Sequence, residues 1–354
     1  MRIVAFTKYG QMAASTRQRL LQYVPHLAAA GIEVDFRPLL PDDYVRGVGS
    51  GRTYPRGKTL RLYLDRLSQL LAQTDADVIW VYAELFPYLP GSWEKLAFRS
   101  GKPVVYDCDD AFFHAYDAHP NALVRRLLGR KIEPLLRGAA ACCCGNAYLE
   151  SYVSRFSADT LLLPTVVNTG VCRPGTGPSS DRPITIGWIG SPSTWPYMRP
   201  ILPLLSELVR SRGIRVRVVG AGPQARSEGF PGLDLIEWSE EREVEDVRAM
   251  DIGVMPLPDD IWARGKCGYK LVQYMACGLP VVASPVGVNT EIVTPGENGF
   301  LATSPEEWRD ALLRLIDDPA IRRTFGDSGR RRIEERYSLE VHAPRFVRLL
   351  QSLA

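Results

Sequence analysis

The chain has 354 residues, 45% of them hydrophobic and 23% charged, with a formal net charge of +3. That length exceeds what one compact core usually accommodates, and the composition is that of a soluble globular enzyme. The small net charge gives no ground for a nucleic-acid binder, and no window approaches the roughly 18 apolar residues of a membrane span.

Taken in chain order, apolar runs of strand length alternate with amphipathic stretches, the pattern of parallel sheets wrapped by helices. "RIVAF" at the start reads as a strand and not as a signal peptide, because no long apolar region follows it. A loop through Gly10 leads to a helix from about Ser15 to Ala30, stopped by Gly31, and then to strand "IEVDF". Strands "DVIWVYAE" and "PVVYDCDD" follow, then a basic helix from about Asn121 to Arg137 and a strand through "AAACCCG". The seven cysteines are odd in number, three are consecutive and none forms a CxxC pair, so they read as small buried hydrophobes in a reduced, cytoplasmic setting. After a helix at Ser151–Phe156 and strand "TLLLP", the stretch "RPGTGPSSDRP", Arg173 to Pro183, is the best linker candidate.

The second half starts afresh with strand "ITIGWIG", a proline-studded helical region, and strands "RVRVVGAG", "LDLIEW" and "DIGVMPL". "RGKCGYKLVQYMACGLPVVAS", Arg264 to Ser284, then reads as a short helix running into a strand. Helices near 306–317 and 320–335 and a terminal amphipathic helix complete the chain. The expected organisation is residues 1–175 as one Rossmann-like domain, 176–340 as a second, and 341–354 as a terminal helix that packs back on the first. Two such α/β domains face each other across a cleft at their strand ends, where open sheets bind ligands. The half up to Gly175 is mildly basic and the remainder slightly acidic, which suits an anionic partner or equally a solvated surface. Membrane contact, if made, is peripheral.

Four stretches carry candidate chemistry. In the first, Arg264, Lys266 and Lys270 crowd the start of a helix whose positive end disfavours cations unless an anion is shared there. Gly268 lets that anion approach the backbone, Lys266 and Lys270 add point charges within reach of a diphosphate, and Gln273 offers hydrogen bonds to a ribose. In the second, "GWIGSPST", Gly190, Ser191, Ser193 and Thr194 are of the kind that cap helices and bind phosphate oxygens. "VVGAGP" holds Gly220 and Gly222, but Ala225 breaks the dinucleotide fingerprint. In the third, Asp107, Asp109 and Asp110 close a strand with His114 and His119 just beyond. Such a cluster fits Mg²⁺ holding substrate phosphates, contact with sugar hydroxyls or the reaction centre, or capping of the next helix. The fourth is Arg17 and Arg19 at the start of the first helix, suited to acceptor or phosphate contact or to a solvated face.

The segment Gly268–Ala302 resembles the nucleotide-sugar-binding region of family-4-type retaining glycosyltransferases of the GT-B fold, and "ITIGWIGSPST", "VRVVGAGP" and "AMDIGVMPLPDD" extend the likeness. The resemblance implies sugar transfer from a nucleotide-diphosphate donor with retention of configuration and without a metal or resident cofactor. It implies a saccharide, lipid-linked or small-molecule acceptor, held by Arg17, Arg19, Asp110 and His114, and work in cell-surface polysaccharide or glycoconjugate assembly, in places at the inner face of the membrane. Lys266 and Lys270 become the cations on the leaving diphosphate, and Asp109 stands where such enzymes often carry a histidine. Gly190, Ser191, Ser193, Gly268 and Gln273 fall on the donor side. The family's two glutamates, seven residues apart, are Gly265 and Gln273 here, so Asp259 or Asp260 is the candidate replacement for the first, and Glu291 matches a glutamate after the "PVG" turn. The alternatives are a nucleotide-sugar-binding subunit without catalysis, and an epimerase or phosphorylase of the same fold; a nicotinamide dehydrogenase is disfavoured by Ala225.

Overall fold

The computed structural model describes residues 1–49, 53–72, 75–175 and 182–354. Two compact units emerge. One comprises Met1–Thr165, Arg264–Cys267 and His342–Ala354, and the other Val166–Ala263 with Gly268–Val341. Residues 176–181 of the linker read at Arg173–Pro183 lie outside the described residues.

In the first unit, β1 (Arg2–Tyr9), β2 (Glu33–Leu40), β3 (Val78–Tyr82), β4 (Val104–Cys108), β5 (Ala141–Cys144) and β6 (Thr160–Leu162) form a sheet in the order β2-β1-β3-β4-β5-β6. Every pairing is parallel, with Ile3 opposite Val78, Ile79 opposite Val104 and Val105 opposite Ala141. β3, β4 and β5 are buried along their whole length, which is why they read as unbroken apolar runs: helices cover both faces. On one face Leu67 and Leu70 of helix Arg56–Leu71 join Leu135 and Leu136 of helix Glu133–Gly138 and Leu149 of helix Ala147–Val153. On the other, Phe346 of the C-terminal helix Leu339–Gln351 packs its ring 4.8 Å from Trp80 and 5.5 Å from Tyr23.

The second unit's sheet uses β7 (Thr185–Ile189), β8 (Arg215–Val219), β9 (Leu233–Ile236), β10 (Ile252–Met255), β11 (Val281–Ala283) and β12 (Gly299–Leu301) in the order β12-β11-β10-β7-β8-β9. This too is wholly parallel. Numbered within the unit the order is 3-2-1-4-5-6 read from one edge, the Rossmann arrangement. Strand order reverses between β1 and β3 in the first unit and between β7 and β10 in the second. Those reversals are where the two flanking crossovers part and open a crevice at the strands' carboxyl ends.

Several elements differ from the sequence reading. The helix expected over Ser15–Ala30 is three pieces, Ala14–Arg19, a 3₁₀ turn Leu21–Tyr23 and Val24–Ala29. Leu20 leaves helical geometry at φ −122°, and Pro25, which has no N–H to give a preceding turn, opens the last piece. Pro134 divides the basic helix the same way, into Ala122–Leu128 and Glu133–Gly138. Helices Asp42–Gly49 and Arg56–Leu71 occupy a stretch in which the sequence reading places no element.

Candidate functional site

In the second unit the residues at the β7–β10 reversal include the turn that follows β7 and the helix that precedes β11. Past β7 the chain enters Gly190–Thr194, closed by its own hydroxyls: Ser191 N–H donates to Thr194 Oγ1 at 3.1 Å, and the Ser191 and Ser193 hydroxyls are 2.9 Å apart. Ser191 and Ser193 are exposed, so this small polar turn is open to a ligand.

Helix Tyr269–Ala276 approaches from the β11 side, and no side chain caps its first turn. Gly268, directly before it, sits at φ +65° in the left-handed region, and a Cβ there would collide with Ile292 Cδ1. Only glycine satisfies both the backbone angle and that close approach. The conformation also resets the chain direction, so the first turn begins at Tyr269 and the expectation that Lys266 lies in it is corrected. Lys266 falls in the first unit, with its Nζ 3.6 Å from Asp110 Oδ1. Lys270 is in that first turn, with its Nζ 5.5 Å from the ring centroid of Trp188 on β7. The helix end and one ammonium thus meet at the strand reversal.

Gln273, one turn on, is buried and donates through Nε2 to Glu243 Oε1, while Glu243 Oε2 accepts the Trp238 indole N–H at 2.7 Å. Glu243 is the residue sequence reasoning missed: it opens helix Glu243–Arg248 and draws Gln273 and Trp238 together around one carboxylate. The other donor-side candidates stand apart. Asp260 accepts from Ala263 N at 2.7 Å, capping the short helix Ile261–Arg264, and Glu291 lies on an exposed face.

In the first unit the aspartates do not converge. Asp107 is fully buried against Arg19, with Nη2 2.5 Å from Oδ1, and Arg19 Nη1 donates to the Leu163 carbonyl at 2.7 Å. Burial pushes the Asp107 carboxyl up, with Arg19 opposing. Arg19 therefore ties β4 to the segment beyond β6 and is enclosed by the fold, not turned to an acceptor. Asp109 turns the other way, accepting from the Tyr82 hydroxyl at 2.5 Å; burial raises its pKa too, while Arg19 and Lys266 pull it down. Arg17 donates to the Met12 carbonyl at 2.8 Å, and His114 lies between Asp117 at 2.7 Å and the Tyr148 hydroxyl at 2.8 Å.

Arg264–Cys267 is packed into this region. Asn146 Nδ2 donates to the carbonyls of Gly265 at 2.9 Å and Lys266 at 3.0 Å, and the Cys267 thiol donates to Asp109 O at 2.9 Å. A Cβ on Gly265 would lie 2.5 Å from that of Ala111. The position has no room for the glutamate that the resemblance leads one to look for.

At the β1–β3 reversal, Ala83 just past β3 has φ +67°, an angle that costs a residue with a side chain about 1–3 kcal/mol. The next residue, Glu84, is buried, pairs with Lys8 at 2.9 Å and accepts from the Tyr116 hydroxyl at 2.6 Å. No motif marks this group; only its place after an apolar strand could have drawn attention to it.

Residues 185–318 match the family described as glycosyl transferases group 1. The group 1 segment runs from β7 to the end of helix Pro305–Asp317 and so contains the Gly190 turn, Glu243, Gly268 and Lys270. An uncharacterized glycosyltransferase of Methanocaldococcus jannaschii is 28% identical over 115 residues, 32% of this chain and 28% of its own. A GDP-mannose-dependent phosphatidylinositol monomannoside mannosyltransferase of Corynebacterium glutamicum is 34% identical over 86 residues, 24% of this chain and 23% of its own. A D-inositol 3-phosphate glycosyltransferase of Rhodococcus erythropolis is 32% identical over 143 residues, 40% and 28% of the two chains. The chain thus spans about a quarter of the length of the curated relatives it matches. Among solved structures, sucrose-phosphate synthase from Thermosynechococcus elongatus aligns over 100% of this chain and 99% of its own, with TM-score 0.74 and 18% identity. The Anabaena protein HepE in complex with UDP-glucose aligns over 100% of both chains, with TM-score 0.72 and 15% identity. The fold that these chains share with the two parallel six-stranded sheets is GT-B.

Proposed function

We propose that the chain is a retaining glycosyltransferase that moves a sugar from a nucleotide-diphosphate donor to a hydroxyl of a saccharide, lipid-linked or small-molecule acceptor, in cell-surface polysaccharide or glycoconjugate assembly. One observation carries the reading: an uncapped helix end, opened by Gly268 and carrying Lys270 over Trp188, lies at the strand reversal of a group 1 segment. Backbone N–H groups and an ammonium at that point suit a diphosphate and meet the charge that grows on it as the glycosidic bond breaks. The acceptor oxygen bonds to the anomeric carbon as the carbon–phosphate oxygen bond opens, and the departing phosphate oxygen takes the acceptor proton. No side-chain nucleophile, resident cofactor or metal is needed for that balance. The HepE structures with UDP and UDP-glucose, and the GDP-mannose dependence in the mannosyltransferase's name, support a nucleotide sugar as donor. Glu243, Gln273 and Trp238 suit the nucleoside end, through hydrogen bonds to a ribose and a flat apolar face for a base. Asp109 is the candidate for the reaction centre in the first unit, and Asp110 and His114 are the acceptor-side candidates.

The crowding of Gly265 by Ala111 favours a second reading, a subunit that binds the donor without turning it over. A panel of UDP, GDP, ADP, dTDP and their sugars, read by calorimetry and then by turnover with added acceptors, separates the two. Selective binding with transfer and an axial-to-axial anomeric outcome by NMR supports the enzyme. Binding without transfer supports the subunit, and no binding at millimolar nucleotide refutes both.

A further inference from the structure

The crevice at the β1–β3 reversal of the first unit is edged by tyrosines, and the chain there is strained. Among the described residues, the non-glycine residues with positive φ are Ala83 and Tyr88, at the two ends of the segment that leaves β3. Tyr88 has φ +60° and 63% of its surface exposed, although a residue with a Cβ is disfavoured in the left-handed region. Pro87 stands directly before it and Pro90 two residues after, so the turn is stiff. The Tyr88 N–H donates to the Tyr116 hydroxyl at 3.1 Å, and the two rings meet edge to face at 5.6 Å. A strained backbone thus holds a large aromatic ring out to water, where burial does not account for it.

Tyr9, the last residue of β1, stacks on Tyr44 of helix Asp42–Gly49 at 6.3 Å, and Tyr44 meets Tyr54 at 5.1 Å. The Lys8 ammonium lies 5.5 Å from the Tyr9 ring centroid and 2.9 Å from Glu84, whose other oxygen accepts from Tyr116. Burial pushes the Tyr44 hydroxyl up; Tyr9 and Tyr88 act in the same direction and Lys8 opposes, which puts all three within electrostatic reach of Tyr44. Charges here are matched. Glu84 answers Lys8, and further out Lys58 stands 6.0 Å from the ring centroid of Tyr54, whose hydroxyl donates to Asp43 at 3.2 Å. A phosphate gains little from an ammonium already neutralised, so the site does not select an anion. A pyranose matches it better: its C–H face packs on an aromatic ring, and its hydroxyls both give and take hydrogen bonds. An ammonium has three N–H bonds and Glu84 takes one, which leaves Lys8 capacity for a sugar hydroxyl.

We infer that this tyrosine-lined crevice is a subsite for an uncharged pyranose unit of the acceptor, with the Tyr88 ring against the sugar's C–H face and Lys8 and the Tyr44 hydroxyl at its rim. The subsite rests on the glycosyl-transfer reading above and narrows its acceptor to a saccharide, in addition to contacts from Asp110 and His114. The experiment is saturation-transfer difference NMR on the full chain, with and without UDP and GDP. The probes are the methyl α-pyranosides of glucose, mannose, galactose and N-acetylglucosamine, with glucose 6-phosphate and mannose 6-phosphate as charged counterparts. At least one methyl glycoside binds with Kd about 1–10 mM, its C–H protons on one face take up most saturation, and a phosphate adds no affinity. Tyr88→Gly, which suits φ +60°, weakens that binding about tenfold with an equal or higher melting temperature, and Tyr88→Phe retains it within about twofold. No glycoside bound while a nucleotide binds overturns the subsite and leaves the donor site intact. A phosphorylated sugar bound more tightly than its methyl glycoside overturns it too, as does Tyr88→Gly binding as well as the wild type. Glycoside binding that is lost in Tyr88→Gly, with no nucleotide bound by either protein, upholds the saccharide subsite and overturns the donor site instead.

Discussion

Replacing Lys270 by methionine keeps most of the stem and removes only the charge. In the ligand-free protein the loss includes the ammonium's contact with Trp188, 5.5 Å from the ring centroid, worth about 0.5–1 kcal/mol. With a nucleotide diphosphate bound, the same ammonium faces phosphate oxygens. At about 4 Å and an effective dielectric of about 20, one such charge pair gains about 4 kcal/mol. Lys270 is half-buried, and part of that gain is offset by its lost hydration, leaving about 2–3 kcal/mol, or about 30- to 150-fold in Kd. Thermal unfolding shows the difference directly. At free nucleotide about 100 times the wild-type Kd, binding stabilises by about 2.7 kcal/mol, and a hundredfold weaker variant retains only about 0.4 kcal/mol. The nucleotide-dependent increment, each protein measured against its own ligand-free curve, should therefore collapse in the variant. Equal increments in the two proteins would refute the assignment of Lys270 to the diphosphate.

Gly268→Ala should cost about 2–4 kcal/mol of stability in a denaturant titration, from the φ of +65° and the collision with Ile292, and should abolish nucleotide binding in whatever remains folded. Glu243→Gln should cost about 1 kcal/mol, because charge-assisted bonds to Gln273 and Trp238 become neutral ones. Measured by calorimetry, it should weaken nucleotide binding several-fold and leave pyrophosphate binding intact; Lys270→Met should weaken both, and loss of pyrophosphate binding in Glu243→Gln would place Glu243 elsewhere. The Arg130 guanidinium, 2.9 Å from both Glu133 oxygens, holds that carboxyl below its ordinary range. Its contribution is then present above about pH 4.3 and lost as pH falls through the lowered folded-state value. The melting-temperature gap between wild type and Glu133→Gln should close below about pH 4, and a gap constant through that range would count against the pairing.

How much was legible in the sequence follows from what each feature needs. β3, β4 and β5 are buried on both faces, so composition alone marks them, and helices between parallel strands leave the topology few choices. The glycine before the helix at Tyr269 was equally visible, since its neighbours left little other reason for it. Helix Arg56–Leu71 was hidden because its pattern is inverted in part. Arg66 is buried, donating to the Thr7 and Arg37 carbonyls at 3.0 and 2.9 Å, while three leucines face water. Lys266 was misplaced because a left-handed residue at 268 turns the chain, and sequence spacing does not show such a turn. Glu243 precedes Gln273 by thirty residues and meets it only once β10 is laid beside β7. Arg19 pointed to a ligand because an arginine in the first helix is ambiguous until its burial against Asp107 is known.

The cysteines, so far a sign of setting, also give the chain an internal clock. All seven are free and buried, and burial raises the pKa of Cys143 and Cys267, so a thiol reagent meets almost no reactive thiolate at those sites while the fold is closed. Cys108, Cys142, Cys143, Cys144 and Cys267 belong to the first unit, and Cys172 and Cys277 to the second. Each excursion that fully opens the first unit therefore leaves its own permanent mass increment of five adducts. A single mass spectrum taken over time records how often that half of the molecule comes apart.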